Sequence, residues 1–114
     1  MNEREIIINL IEYRFGKFKK LFSYEELDIF EIDEMLDALL HKDYKTLFKI
    51  RFKQDFSNKQ VKELILGIKH QVNINKYAKS EFSPIKMRFI RKLLIHNINI
   101  NRYIHKNYND KQIS

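Results

Sequence analysis

The chain contains no cysteine and no tryptophan, and its 114 residues include only two glycines and one proline. Without cysteine there are no disulfides, no thiolate nucleophiles and no cysteine-based zinc or iron–sulfur sites, which agrees with a reducing, cytoplasmic setting. So few glycines and prolines exclude a collagen-like or linker-rich chain, and they deny a many-turned β architecture the residues its turns require. They also leave little from which to build a phosphate-cradling loop, and no Walker loop, nucleophile elbow or dinucleotide fingerprint is present. The amino-terminal apolar stretch is broken by Asn9, Glu12 and Arg14, is too short for a membrane span, and lacks the small-residue cleavage site of an export signal. No membrane partner is expected. What is present is 44% hydrophobic and 32% charged residues, enough for one compact domain and pointing to helices.

Charge is unevenly distributed. Residues 1–50 carry 8 Lys or Arg against 11 Asp or Glu, whereas residues 51–114 carry 14 against 4. A carboxy-terminal half this basic attracts polyanions, either by releasing counterions from nucleic acid or by facing an acidic protein, and such binding weakens with salt. A low alanine content beside abundant Ile, Lys and Asn is the mark of an AT-rich genome, such as a low-GC bacterium, its phages or its mobile elements.

The most informative pattern is internal. Phe56-Ser57-Asn58-Lys59-Gln60-Val61 recurs 26 residues later as Phe82-Ser83-Pro84-Ile85-Lys86-Met87, and after another 26 as Tyr108-Asn109-Asp110-Lys111-Gln112-Ile113. Each segment reads as a helix start. Ser57, Ser83 and Asn109 stand where an N-cap accepts a backbone N–H, Gln60 and Gln112 occupy the capping-box position, and Pro84 falls at the first helical residue. The pairs Phe56 with Val61 and Phe82 with Met87 have the spacing of a hydrophobic staple. The register continues through Val72-Asn73-Ile74-Asn75-Lys76-Tyr77 and Ile98-Asn99-Ile100-Asn101-Arg102-Tyr103. The pattern predicts, for each unit, a helix of three to four turns, a tight connection, and a short helix or turn capped by Asn73 or Asn99. Such units bury their apolar faces by stacking.

Residues 56–113 resemble a short repeat of the form F-x-x-x-Q-M, I-R-x-G-L, L-D-V-x-x-Y-A, found in largely uncharacterised proteins of low-GC Gram-positive bacteria and their mobile elements. Phe56, Gln60, Leu64, Gly67, Ile68, Val72, Ile74, Tyr77, Ala78 and Phe82 follow one copy; Phe82, Met87, Ile90, Arg91, Leu94, Ile100 and Tyr103 follow the next. Asn73 and Asn99 replace an aspartate, and Leu93 replaces the glycine, so the second unit is expected to turn differently. The resemblance implies packing and genomic context, with no activity attached.

In the first half, Asn2-Glu3-Arg4-Glu5 begins a helix predicted to run to about Leu21, with Ile7, Leu10, Ile11, Phe18 and Leu21 on one face. A fourth helix start is read at Phe22-Ser23-Tyr24-Glu25-Glu26-Leu27. An acidic helix follows, with Ile32, Met35, Leu36, Leu39 and Leu40 as its apolar stripe. Residues 44–56 suit either a strand or a helix leading into the repeat, and helix is favoured because a single strand has no partner.

The seven carboxylates from Glu25 to Asp37 lack the spacing of an EF-hand loop and read as a solvated helix face, able also to neutralise the basic half. His70 and His96 occupy equivalent repeat positions but bring no further ligand of a zinc site. The aromatics Phe56, Tyr77, Phe82, Tyr103 and Tyr108 could stack on bases, yet their positions fit core packing better. Several cations repeat in register, Lys62 with Arg88 and Lys76 with Arg102. On the helix starting at Pro84, Arg88, Arg91 and Lys92 are expected opposite a stripe of Met87, Ile90, Leu93 and Leu94. These cations form either a binding track or merely the solvated faces of core helices.

The expectation is an all-α single domain, 1–114, in which two amphipathic amino-terminal helices (1–55) pack on a short helical-repeat stack (56–114) of two 26-residue units and a truncated third. It is a binding protein rather than an enzyme, with no cofactor or metal. Lys62, Lys69, Lys76, Arg88, Arg91, Lys92 and Arg102 are the candidate contacts to a nucleic-acid backbone or an acidic protein surface. The alternative is a protein-binding inhibitor or adaptor that blocks a host defence or replication enzyme. A third reading is homo-oligomerisation through the unfinished repeat edge, since the chain ends at Ser114 just after a new helix-start signal.

Overall fold

The computed structural model describes residues 2–16, 24 and 26–96, and every regular element among them is a helix. The chain divides into two compact units, Met1–Asp55 and Phe56–Ser114. The first holds α1 (Glu3–Arg14), α2 (Ile29–Leu40) and α3 (Tyr44–Phe52), the last being the helix favoured for the segment that leads into the repeat. The second holds α4 (Asn58–Lys69), a 3₁₀ helix (Ile74–Lys76) and α5 (Pro84–Ile95). No described helix is long and apolar enough to cross a membrane.

In the first unit, Asn2 caps α1 by accepting the Glu5 amide at 2.8 Å, as its sequence signature indicates. The helix is shorter than predicted, closing at Arg14 with Phe15 as its C-cap just before Gly16, a poor helix former. Of the expected apolar face only Ile11 is buried; Ile7 is half-buried, Leu10 is exposed, and Phe18 and Leu21 lie outside the described residues. The helix start read at residues 22–27 is also corrected: Tyr24, Glu26 and Leu27 are not helical, and α2 begins only at Ile29. The stronger signal there is Asp28 with Glu31, a complete capping box. The carbonyls of Tyr24 and Leu27 are instead taken by the Arg4 guanidinium of α1. The stripe of α2 is Ile32, Met35, Leu36, Ala38 and Leu39, with Leu40 outside it and exposed. It packs against α1 and α3.

Residues 44–52 form a helix along which three aromatics fall four apart. Tyr44, Phe48 and Phe52 follow one another along the helix with ring centroids 6.5 and 6.2 Å apart, whereas a strand would set residues four apart about 13 Å from one another. Asp43 caps α3, accepting the Thr46 hydroxyl at 2.6 Å and its amide at 3.2 Å, and these bonds hold the Asp43 carboxyl below its ordinary pKa.

The second unit follows the repeat pattern. Ser57 and Gln60 form a full capping box on α4, Asn73 caps the 3₁₀ helix, and Ser83 caps α5 with Pro84 in its first turn. The staple residues Phe56, Val61, Phe82 and Met87 are all buried, together with Leu64, Ile74, Tyr77, Ala78 and Ile90. The second half of the next repeat and the third copy, including Arg102, Tyr103 and Tyr108, lie outside the described residues.

Candidate nucleic-acid interface

The geometry of the second unit starts from the buried stripe of α4: Gln60, Val61, Glu63, Leu64 and Gly67. Two of these are polar and both are fully engaged. Gln60 accepts the Ser57 amide at 2.8 Å, and its side-chain amide donates to the carbonyls of Ser80 at 3.0 Å and Phe82 at 2.7 Å. One side chain thus caps α4 and ties it to the segment that enters α5. Gly67 leaves room for Tyr77, whose hydroxyl donates to the Glu63 carbonyl at 2.8 Å. A Cβ at position 67 would stand 1.9 Å from the Tyr77 hydroxyl oxygen and 2.6 Å from the Ile74 side chain, so only glycine fits while Tyr77 is seated. Leu93 stands at the same register position in α5, so the second repeat lacks that open space. Burial pushes the Tyr77 hydroxyl pKa up, opposed by Arg91 and aided by Glu63, and the group stays a neutral donor.

The Glu63 carboxylate itself is 2% exposed and receives two arginines from α5. Arg88 Nε donates to Oε1 at 3.1 Å, while Arg91 donates to Oε2 through Nε at 3.4 Å and Nη2 at 3.3 Å. Two cations therefore hold one desolvated anion at the α4–α5 contact, which offsets the cost of burying Glu63 and Arg91.

This arrangement divides the seven cations singled out from the sequence. Lys62 and Lys69 on α4, Lys76 in the 3₁₀ helix and Lys92 on α5 are exposed. Arg88 is half-exposed while it pairs with Glu63. Arg91 is buried with its side chain 9% exposed, so the expected outward placement opposite Met87 and Ile90 is wrong for it. The reason is helical spacing: Arg91 follows Met87 by four residues and so stands on the buried face of α5, where the Glu63 carboxylate receives it. Arg102 lies outside the described residues.

Sequence reading also missed Lys59 and Lys79, both exposed. Lys59 was legible, since it stands three residues before Lys62 and ten before Lys69, on one face of α4. Lys86 takes another course. It is buried, and its ammonium lies 4.3 Å from the centroid of the Phe82 ring, with Lys79 at 5.6 Å. His70 and His96 are the C-caps of α4 and α5, both exposed. Among the described residues no three His, Asp or Glu side chains are grouped to hold a metal ion.

What the surface of this unit offers is charge of one sign. Residues 56–96 include nine Lys or Arg against two carboxylates, and of those two Glu63 is buried, so Glu81 is the only exposed acid among the described residues of the unit. Comparison with known proteins found no matching family model, no similar curated protein and no similar solved structure.

Proposed function

We propose that this protein is a non-enzymatic, cytoplasmic binding protein that grips nucleic acid, or a complex containing it, through the phosphate backbone. Lys62, Lys69, Lys76 and Lys92 are the principal contacts, with Lys59 and Lys79 beside them and Arg88 contributing its exposed edge. The observation that carries this reading is the nearly acid-free surface of residues 56–96, with its exposed lysines against Glu81 alone. Ammonium groups on flexible stems suit phosphate contacts and carry little base discrimination, so binding is sequence-tolerant and salt-sensitive.

A mobility-shift assay with naked DNA and RNA oligonucleotides tests the proposal. The wild-type chain shifts both, and replacing Lys62, Lys69, Lys76 and Lys92 together by Glu abolishes the shift with the helical fold intact. An unchanged shift in that variant overturns the reading. Arg91 is left out because its removal strikes the packing of α4 on α5 rather than the surface.

A second reading, an inhibitor or adaptor that binds a host protein, draws on α1. Ile6, Leu10 and Tyr13 lie at intervals of four and three on one face and are all exposed, Tyr13 by 91%. An aligned apolar trio of this kind suits a hydrophobic groove. A pull-down with and without nuclease separates the two: capture that survives nuclease and is lost in Leu10→Asp supports the protein partner.

A further inference from the structure

The exposed face of α2 carries an aromatic ring and carboxylates that the function above leaves unused. Phe30, Glu34 and Asp37 fall at intervals of four and three along one face of the helix, and all are exposed, Phe30 by 75%. On α4, Leu66, Lys62 and Lys59 show the same intervals run in the opposite direction, with both lysines exposed and Leu66 half-buried. Each of the two helices is 12 residues long. Laid antiparallel in one register, they bring Phe30 onto Leu66, Glu34 onto Lys62 and Asp37 onto Lys59, with no like-charge opposition. The antiparallel direction also opposes the two helix dipoles favourably.

We propose that the Phe30–Glu34–Asp37 face of α2 docks on the Lys59–Lys62–Leu66 face of α4 from a second copy of this chain. The occupant follows from charge and spacing: the complementary face is encoded in the same sequence and stands exposed. Each copy offers one face of each kind, so the contact is between unlike patches and either occurs twice in a closed dimer or repeats along an open chain. Two exposed ion pairs and one apolar contact form a small interface, so the association is weak and is screened by salt. It engages lysines that also serve the proposed nucleic-acid surface, but it rests on α2 and stands or falls separately.

Sedimentation equilibrium of the nuclease-treated full chain, at about 0.05 M and about 0.5 M salt, tests this. At low salt the wild-type mass rises with concentration above the 14.0 kDa monomer, and at high salt it returns to the monomer. Glu34→Lys with Asp37→Lys is monomeric at low salt, as is Lys59→Glu with Lys62→Glu, each with unchanged circular dichroism. Mixed one to one, the two reversed variants associate again, since each then presents the charge its partner lacks. Phe30→Ser, which leaves every charge in place, weakens the wild-type association. A wild-type chain that stays monomeric at low salt overturns the proposal. So does a reversed variant that associates as the wild type does, or a mixture that fails to recover.

Discussion

Glu63 shows how a single carboxylate in a basic unit becomes structural. Buried and flanked by Arg88 and Arg91, it converts charges that would repel an approaching helix into the contact that holds α4 to α5. Breaking a buried pair by removing one partner costs about 3–5 kcal/mol, because the other charge stays desolvated. Glu63→Ala is therefore expected to lower the stability to urea by roughly 3 kcal/mol, against a change within about 0.5 kcal/mol for Lys62→Ala on the exposed face of the same helix. Gly67 gives a second check. Gly67→Ala forces its new methyl into the Tyr77 hydroxyl, at an expected cost of about 1–3 kcal/mol, and Tyr77→Phe in the same chain recovers part of that loss by removing the nearest atom. The Tyr77 hydroxyl also sets an alkaline limit. Its folded pKa lies above the ordinary value of 10.0, so the stability it supplies is complete below pH 10 and declines as pH rises beyond it. Melting temperatures measured from pH 8 to pH 11 should fall less steeply in Tyr77→Phe than in the wild type. Gln60, Glu63 and Gly67 were legible as one face by their spacing of three and four. Their partners were not, because Ser80, Tyr77 and Arg91 meet them only after the chain has turned back.

At the scale of the element, caps carried most of the legible information. Ser57 with Gln60, Asn73, and Ser83 with Pro84 mark starts that need only a few neighbouring residues to form, and the structure begins its helices there. The first half was read less well, since the aromatic-serine signal at residues 22–27 competed with the nearby Asp28–Glu31 box, and the box offers two satisfied backbone donors at once. Helix ends were illegible for a different reason. The chain has too few glycines to mark them, and α2 and α4 close instead through Lys42 and Gln71 in the left-handed region, at φ 56° and 59°. Both ends have the Schellman pattern, with the Asp43 amide on the Ala38 carbonyl at 2.8 Å and the Val72 amide on the Gly67 carbonyl at 3.0 Å. A residue with a Cβ is strained in that conformation by roughly 1–2 kcal/mol. Gln71→Gly is thus expected to raise stability by about 0.5–1 kcal/mol after the entropy glycine loses on folding. Gly substituted at the neighbouring Val72, where φ is not positive, gives no such gain; thermal unfolding of the two variants makes the comparison.

Over the whole molecule, the division of charge was plain in the sequence: the acid-rich first half and the base-rich second are countable before any fold is known. How the basic residues divide between core and surface was not. Arg91 and Lys86 go inward, to a carboxylate and to an aromatic face, while Lys59, Lys62, Lys69, Lys76, Lys79 and Lys92 stay outward. The proposed function depends on that outward group acting as a set. Its most direct test is the affinity of the chain for a short DNA duplex, followed by fluorescence anisotropy over a series of salt concentrations. Four to six lysine–phosphate contacts give a log–log slope of about −4 to −5, and the variant with Lys62, Lys69, Lys76 and Lys92 replaced by Glu gives no measurable binding. A wild-type slope near zero, or a variant that binds with the wild-type slope, contradicts the account.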